Sequence, residues 1–423
     1  PFNTKSKMIK KIILSSCLLF SLVSFAQEGT ASPYSFFGIG DVRYKGTAEM
    51  RSMAGIGVEQ DSIHLNLDNP ASFANLKLTV FSIGGSYNTN KLKTTTQSAN
   101  TERATLDYLA VGLPMGKFGF GFGLIPYSSV GYKVESIATD ESQNSRRFNG
   151  AGGLNKAFLG VGYKITPSLS LGADIQYNFG KIETSSLEFM YTVLVGTREM
   201  NRAVLSGFNF NAGLMYQTKI NTKMNLYTSL NYSLESTLTS NNTSSIATVL
   251  IDGDFNTSVV DATDDILAKG SMITPSKVTF GLGFGESKKW LLGAQFSTRD
   301  AADFRNTYNS FSNVSFQKYQ KIAIGGYFIP NYNSFTSYAK RLVFRGGLKY
   351  EKTGLMVNSK SINDVGFSLG IGFPVTGSFS NVNLGFELGK KGTTTANLVQ
   401  ENYANFSLGL SLNDKWFEKR KFN

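Results

Sequence analysis

Hydrophobic residues alternate with small or polar residues over most of the chain, beginning near Leu76. Over 118–124, three phenylalanines and a leucine alternate with three glycines. The same alternation recurs over 169–180, 278–285, 365–373 and 406–412. A period of two is the period of a β-strand, so each segment predicts a strand with one apolar face and one face of small or polar residues.

The composition of the two faces indicates what the strands pack against. In a soluble sandwich the solvent-facing side would favour Lys, Glu and Thr, whereas the non-apolar face of these segments is rich in Gly, Ser and Asn. A barrel in lipid turns its apolar side chains outward and its polar side chains toward the lumen, and its closure leaves no strand edge unpaired in hydrocarbon. The pattern therefore favours a transmembrane barrel.

Fourteen strands are predicted, and the connections between them alternate in length. The strands cover 77–90, 104–114, 117–130, 154–165, 168–182, 203–218, 223–237, 273–285, 289–299, 320–329, 341–352, 364–373, 379–390 and 403–413. Short periplasmic turns and long external loops are typical of outer-membrane barrels, and an even strand number leaves both termini in the periplasm. The predicted fold class is all-β, a 14-stranded antiparallel transmembrane β-barrel.

The N-terminus predicts export. Lys10 and Lys11 precede an apolar run that ends in Ser24-Phe25-Ala26, which is the pattern of a secretory signal peptide with cleavage after Ala26. The run is too short for a spanning helix, which needs about 20 apolar residues. We therefore assign 1–26 to upstream residues and the signal peptide. A lipoprotein box at 14–17, ending in Cys17, is the alternative.

Residue usage argues against catalysis. Cys17 is the only cysteine and His64 the only histidine. After cleavage no thiol remains for a disulfide, a thiolate metal site or a nucleophile, and one histidine gives no triad and no histidine-ligated metal. We therefore expect neither an enzyme nor a cofactor.

Residues 27–76 do not have the pattern of strands. They are rich in Gly and small residues and show no sustained amphipathic period. Eight strands fill their own interior and sixteen leave an aqueous channel, so a barrel of intermediate size needs something to fill its bore. We predict a hatch over 27–76 that plugs the lumen of the barrel formed by 77–413, followed by a basic periplasmic tail over 414–423.

Two stretches of this hatch resemble a known family. Arg51-Ser52-Met53-Ala54-Gly55-Ile56-Gly57-Val58 and the later Asn69-Pro70-Ala71 are similar to the hatch of FadL/TodX-type long-chain fatty-acid transporters. The end of the chain is similar in style to outer-membrane proteins of Bacteroidota-type bacteria. Proline fixes φ and disfavours helix at the preceding residue, while Asn69 can bond its own backbone. We therefore interpret Asn69, Pro70 and Ala71 as the hinge between hatch and wall.

The resemblance also implies a mechanism, because members of the family import hydrophobic molecules through an opening at a kink in the third strand. Here the third strand contains Pro126, which cannot donate to the sheet ladder. Gly123, Pro126 and Tyr127 are therefore the candidate lateral gate. The alternative is a strand that ends early, with 126–130 already in a loop.

Six charged residues are predicted to face the lumen: Asp107, Asp174, Arg345, Lys349, Glu351 and Glu387. They define either a polar pathway or a set of partners for the hatch, and the second interpretation is favoured. His64 is interpreted as a structural residue of the hatch rather than a proton sensor.

The remaining charged residues give little indication of a metal ion or a binding partner. Asp252 and Asp254 begin a stretch that resembles a calcium loop, but Thr257 and Thr263 stand where an EF-hand needs Gly and Glu, so a solvated acidic loop is favoured over a loose Ca²⁺ site. The net charge of +12 includes leader lysines and the basic tail, which could attract anionic lipid or a partner. Export excludes nucleic acid.

The sequence leaves two functions open. The first, implied by the resemblance, is an outer-membrane channel for passive uptake of a hydrophobic or amphipathic small molecule, gated by the hatch and with a lateral exit. The second is a barrel that transports nothing and serves as a scaffold in an outer-membrane secretion or barrel-assembly machine, holding protein partners by its external loops or basic tail. Outer-membrane lipids are expected partners in both.

Overall fold

The computed structural model describes residues 30–42, 46–140, 142–252, 256–263, 265–301 and 313–416. The predicted signal peptide, Asp254 and most of the basic tail lie outside these residues. No helix in the described ranges is long and apolar enough to cross a membrane.

Short elements make up the N-terminal segment. A 3₁₀ helix covers Pro33–Phe36, strand β1 covers Asp41–Val42, helix α1 covers Ala48–Arg51, and a second 3₁₀ helix covers Pro70–Asn75. Two further 3₁₀ turns, Ala339–Arg341 and Thr395–Asn397, lie in connections between strands.

Strands dominate the remainder of the described chain. They are β2 Thr79–Lys93, β3 Ser98–Met115, β4 Phe118–Ser136, β5 Ser145–Lys164, β6 Leu169–Phe189, β7 Val195–Lys219, β8 Asn225–Ser233, β9 Ser236–Ile251, β10 Thr257–Ala262, β11 Ile266–Thr274, β12 Lys277–Glu286, β13 Trp290–Arg299, β14 Val314–Phe316, β15 Tyr319–Phe328, β16 Val343–Val357, β17 Lys360–Pro374, β18 Asn381–Gly392 and β19 Gln400–Asp414.

These strands form a closed antiparallel barrel. β19 pairs with β2 along its whole length, from Asp414↔Thr79 to Gln400↔Lys93, which joins the last strand to the first. β8 continues into β9, β11 into β12 and β14 into β15 across two-residue interruptions, and β10 only folds back on β9. Without β10, the strands from β2 to β19 therefore give a wall of fourteen. The predicted fold class is confirmed.

The two faces of the wall differ as the alternation predicts. Phe280, Leu282 and Phe284 on β12 are exposed on the outer surface, while the residues between them are glycines. Small and polar side chains such as Ser368, Asn383 and Ser411 are almost completely buried inside. An apolar belt facing lipid and a polar interior are the expected pair of surfaces.

We call the end of the barrel with the long connections the loop end. At this end the strands extend further than the sequence pattern indicates. β6 and β7 remain paired up to Phe189↔Gly196, and β9 continues to Ile251, where β10 folds back on it. The predicted loops 183–202 and 238–272 are therefore largely strand. At the opposite end, here called the turn end, tight connections such as the one at Gly116, with φ of 67°, join the strands.

Candidate functional site

The Asn-Pro-Ala turn is fixed to the wall by Asn69. Its Oδ1 accepts from the Ala71 N–H at 3.0 Å and so caps the 3₁₀ helix that Pro70 begins. Its Nδ2 donates to the carbonyls of Leu214 at 3.3 Å and Leu230 at 3.2 Å, on neighbouring wall strands. The side chain therefore shapes the turn and attaches it to the barrel in one arrangement.

Lumen-facing glycines near the turn end allow the turn to approach the wall. A Cβ at Gly119 would overlap the Phe73 carbonyl, and a Cβ at Gly172 would overlap the Ala71 backbone nitrogen. We call this surface the glycine seat; it consists of Gly119, Gly121, Gly160, Gly162, Gly172 and Gly213. The glycines that mark strand periodicity in the sequence are thus also a contact surface for the N-terminal segment, which keeps here the name hatch given to it by the sequence prediction.

Buried polar contacts hold the middle of the hatch. The guanidinium of Arg51 lies 2.8 Å from the Asp107 carboxylate, which is 2% exposed. Arg345 donates to Asn383 Oδ1 at 2.8 Å, and Asn383 donates to Glu49 Oε1 at 2.7 Å. Two of the predicted lumen residues, Asp107 and Arg345, therefore connect the wall to the hatch, directly or through one residue.

The other predicted lumen residues bond within the wall. Lys349 Nζ lies 2.7 Å from Glu387 and 3.2 Å from Asp364, and the Tyr403 hydroxyl donates to Asp364 at 2.7 Å. Glu351 lies opposite Lys321 and Asp364 in the adjacent ladders. Asp364 and Tyr403 were not singled out by the sequence, although both lie in the lumen-facing phase of their strands.

Asp174, the sixth predicted residue, is surrounded by amides. Gln176 Nε2 donates to its carboxylate at 2.7 Å, and Asn211 Nδ2 lies 3.2 Å from both of its oxygens.

A cluster of titratable groups fastens the hatch near the turn end. Glu59 accepts from the hydroxyl of Tyr327 at 3.1 Å, and burial raises the pKa of Glu59 to about 7. His64 Nδ1 lies 2.6 Å from Asp61. Burial alone would raise the pKa of Asp61, but the charge and hydrogen bond of His64 outweigh it and lower it to about 2. Burial would lower the pKa of His64, and Asp61 raises it above its ordinary value.

Apolar packing fills the lumen toward the loop end. Ile39 of the hatch is buried against Val130, Tyr132 and Leu154 of the wall. Phe36 contacts Tyr132 edge-on, with ring centroids 4.8 Å apart. The hatch is further joined to the wall here by backbone pairing of β1 with Ser128 and Ser129 of β4.

The wall has a seam between β3 and β4. Their ladder runs from Met115↔Phe118 to Leu109↔Leu124 and goes no further in the described residues. Just beyond it, the pairing of β4 with β5 shifts register between Pro126 and Ser128. β4 continues to Ser136, so the strand does not end at the proline, contrary to the alternative interpretation.

Gly123, Pro126 and Tyr127, the candidate gate residues, lie in and beside this seam. Gly123 is in the last part of the β3–β4 ladder, opposite Ala110. Pro126 and Tyr127 line an interior cavity of about 310 Å³, and the Lys156 ammonium lies 4.3 Å from the centre of the Tyr127 ring.

The calcium interpretation gains no support. Asp252 accepts from the backbone and side-chain nitrogens of Asn256, at 2.7 and 3.0 Å. No group of three or more potential metal-binding side chains occurs within the part of the chain that is described.

Comparisons with known proteins agree with the architecture. The model of the protein family described as BamG matches residues 8–423. Among solved structures, a FadL homologue of Pseudomonas aeruginosa aligns with a TM-score of 0.58 at 11% identity, covering 89% of this chain and 100% of that one. The CymD monoaromatic hydrocarbon channel gives 0.56 at 12% identity, with coverages of 88% and 98%.

The toluene transporter TodX of Pseudomonas putida gives a TM-score of 0.53 at 16% identity, with coverages of 89% and 99%. At such identities the similarity is one of fold. It confirms the FadL/TodX-type barrel that the sequence resemblance predicted. No curated protein matches the chain in sequence.

Proposed function

The chain belongs to the BamG family, and from this premise we propose that it is a membrane-embedded scaffold subunit of an outer-membrane secretion or barrel-assembly machine. The observation that supports the proposal is the filling of the lumen. Three levels of the bore are closed, by the glycine-seated turn, by buried ion pairs such as Arg51–Asp107 and by the apolar cluster around Ile39, with an interior cavity left between them.

Such a lumen suits a hydrophobic solute poorly. A solute that passed through would have to displace the cluster around Ile39 and then cross a level lined by Arg51, Asp107, Lys349 and Glu387. Opening that level separates buried charges from their partners, which is costly in a medium of low dielectric. A permanently closed barrel has no such cost, and its outer surfaces remain available for partners.

The loop-end extension offers a surface for a protein partner. Lys181, Glu183 and Arg202 form ion pairs just beyond the apolar belt of β6 and β7. Past this charged level, Leu194 is 75% exposed and Leu250 is also exposed. Leu267, which is 77% exposed, shares the ladder partner Thr243 with Arg202. Apolar side chains concentrated outside the lipid-facing belt indicate an interaction site.

Purification from native membranes in mild detergent tests the proposal. We expect the chain to co-purify with other proteins in fixed stoichiometry. Leu194→Lys combined with Leu250→Lys is expected to lower that recovery by about tenfold, because two apolar contacts become charged. Gln97→Lys, at the tip of a different hairpin, is the matched control and should change nothing. A monomer that carries a lipid-like molecule and no protein would contradict the scaffold.

Passive uptake of a hydrophobic or amphipathic small molecule is the second candidate, and the seam beside Pro126 favours it. In this alternative the hatch moves aside and the solute leaves through the gap between β3 and β4. Pro126→Val supplies a backbone donor that can extend the ladder. It should reduce toluene entry into proteoliposomes by about tenfold if the seam conducts; an unchanged rate would exclude the lateral exit.

A further inference from the structure

One side of the interior cavity carries polar atoms without partners. Gln176, Asn211 and Asn231 line it from neighbouring strands, and each is more than nine-tenths buried. The carboxamide oxygen of each has no hydrogen-bond partner in the described residues. Buried polar atoms are normally satisfied, so three unsatisfied acceptors at one cavity need an explanation.

Asp174 fixes the orientation of two of these amides. A carboxylate only accepts hydrogen bonds, so the nitrogens of Gln176 and Asn211 must point toward it, as their distances of 2.7 and 3.2 Å show. Rotating either amide would set oxygen against oxygen. The free oxygens are therefore directed away from Asp174, and a molecule that meets them must donate hydrogen bonds.

Cations stand at the same cavity. Lys156 and Lys277 line it, and neither forms an ion pair with any residue in the described ranges. Lys156 lies directly opposite Ile125 in the β4–β5 ladder, one residue before Pro126. The cationic side of the cavity is therefore next to the seam in the wall.

We propose that this cavity binds a phosphorylated polyol head group. Its hydroxyls would donate to the oxygens of Gln176, Asn211 and Asn231, and its phosphate would accept from Lys156 and Lys277. The same chemistry occurs free in solution or at the head of a membrane lipid whose chains remain in the bilayer at the seam. This proposal is independent of the scaffold function, since it concerns the lumen and not the outer surface.

Native mass spectrometry of the full chain tests the site. The detergent must carry no sugar, for example a polyoxyethylene ether, because a glycoside would compete. We expect phosphatidylinositol to be retained at least about tenfold better than phosphatidylcholine, which has a phosphate but no hydroxyl donors. Inositol 1-phosphate is the soluble probe. If it displaces the lipid, the site takes free polyol phosphates as well; if only the lipid binds, the source is the membrane.

Substitutions distinguish specific binding at this site from nonspecific lipid retention. Lys156→Met and Asn231→Leu should each lower phosphatidylinositol retention by about tenfold. Asn178→Leu is the matched control, because Asn178 is buried, lies on β6 and also has an unpartnered oxygen, but does not line the cavity. Circular dichroism first confirms that each variant keeps its β-sheet. Equal retention of both lipids, no binding of either, or no effect of Lys156→Met would overturn the proposal.

Discussion

Asn69 performs two tasks that usually need two residues. Its oxygen caps the turn that Pro70 begins, and its nitrogen bonds two carbonyls of the wall. Its φ of −127° and ψ of 107° place it in the extended region, as expected before a proline. One carboxamide therefore sets both the shape of the hatch terminus and its position in the barrel.

Replacing Asn69 by Ala should loosen the hatch without opening the barrel. The change removes the cap, worth about 1 kcal/mol, and both bonds to the wall. We expect faster limited proteolysis within 30–76 and unchanged β-sheet circular dichroism. Asn144→Ala, on an exposed connection, is the control; equal proteolysis of the two variants would contradict the role of Asn69.

The Glu59–Asp61–His64 cluster makes the fastening of the hatch sensitive to pH. Burial raises the pKa of Glu59 to about 7, so its stabilising contribution is complete below its ordinary value of 4.5 and is lost as pH rises through 7. His64 also has a raised pKa, so the stability from its pairing with Asp61 is complete below its ordinary value of 6.5 and is lost as pH rises through the raised pKa. The pKa of Asp61 is lowered to about 2, so its contribution is complete above its ordinary value of 3.8 and is lost as pH falls from there to about 2.

We therefore expect protease resistance of the hatch to fall as the pH rises from 4.5 to about 7, the range over which Glu59 loses its contribution. Glu59→Gln removes the ionisation but keeps an acceptor for Tyr327, so its fall should be smaller. Cleavage of an unstructured peptide at each pH corrects for the protease itself. A Glu59→Gln profile identical to that of the unsubstituted chain would show that Glu59 does not titrate in this range.

At the scale of elements, the wall strands serve both lipid and hatch. Near the turn end, several lumen-facing residues of β4, β5 and β6 are glycines, and these form most of the seat on which the 3₁₀ helix Pro70–Asn75 rests. The absence of side chains on that face is what allows a helix backbone to lie directly against a strand backbone. The same glycines therefore produce the period of two in the sequence and the contact surface for the hatch.

Filling the seat should therefore expel the turn. In Gly172→Val the new side chain would overlap the backbone of Pro70 and Ala71, which cannot move as a flexible side chain could. We expect a loss of about 1–3 kcal/mol of hatch stability, typical of overpacking, seen as a lower melting temperature. Gly346→Ala is the control, since the nearest atoms to its Cβ are 3.8 Å away. Equal melting temperatures would indicate that the seat is not in contact.

At the scale of the molecule, barrel closure and plugging are separate. The pairing of β19 with β2 closes the wall through backbone bonds that involve no hatch residue. The hatch contributes contacts inside that wall, at the seat, at the ion pairs and at the apolar cluster. The barrel is thus expected to fold without it.

Deleting residues 30–66 should give a folded barrel with an open bore. Planar-bilayer recordings are expected to show a stable conductance for the deletion variant and none for the full chain, because ions can follow the polar lumen once the hatch is removed. Heat-modifiable migration in gels would show that the variant is folded. A silent but folded variant would mean that the lumen is closed by wall side chains or by the turn Pro70–Asn75, which the deletion retains.

The sequence predicted most at the level of single strands. The alternation over 365–373 gives β17 and that over 406–412 gives β19, because lipid on one side and lumen on the other impose a period of two on every strand. It predicted strand ends less well: 183–202 is mostly strand, since pairing between β6 and β7 continues beyond the apolar belt that produces the pattern. The partners of the candidate residues were not predictable, because most of those partners lie on other strands or in the N-terminal segment.

The sequence by itself determined the strands of the barrel wall. The period of two, and which side chains point to lipid or to the lumen, are local properties that each strand carries in its own residues. Only the tertiary structure decided how the interior is arranged. Arg51 meets Asp107, and Gln176 and Asn211 converge on Asp174, because strand register and closure bring together residues that are distant in sequence. The seam beside Pro126 likewise results from where the β3–β4 ladder stops. Such pairings depend on the whole ring of strands, and no single segment encodes them.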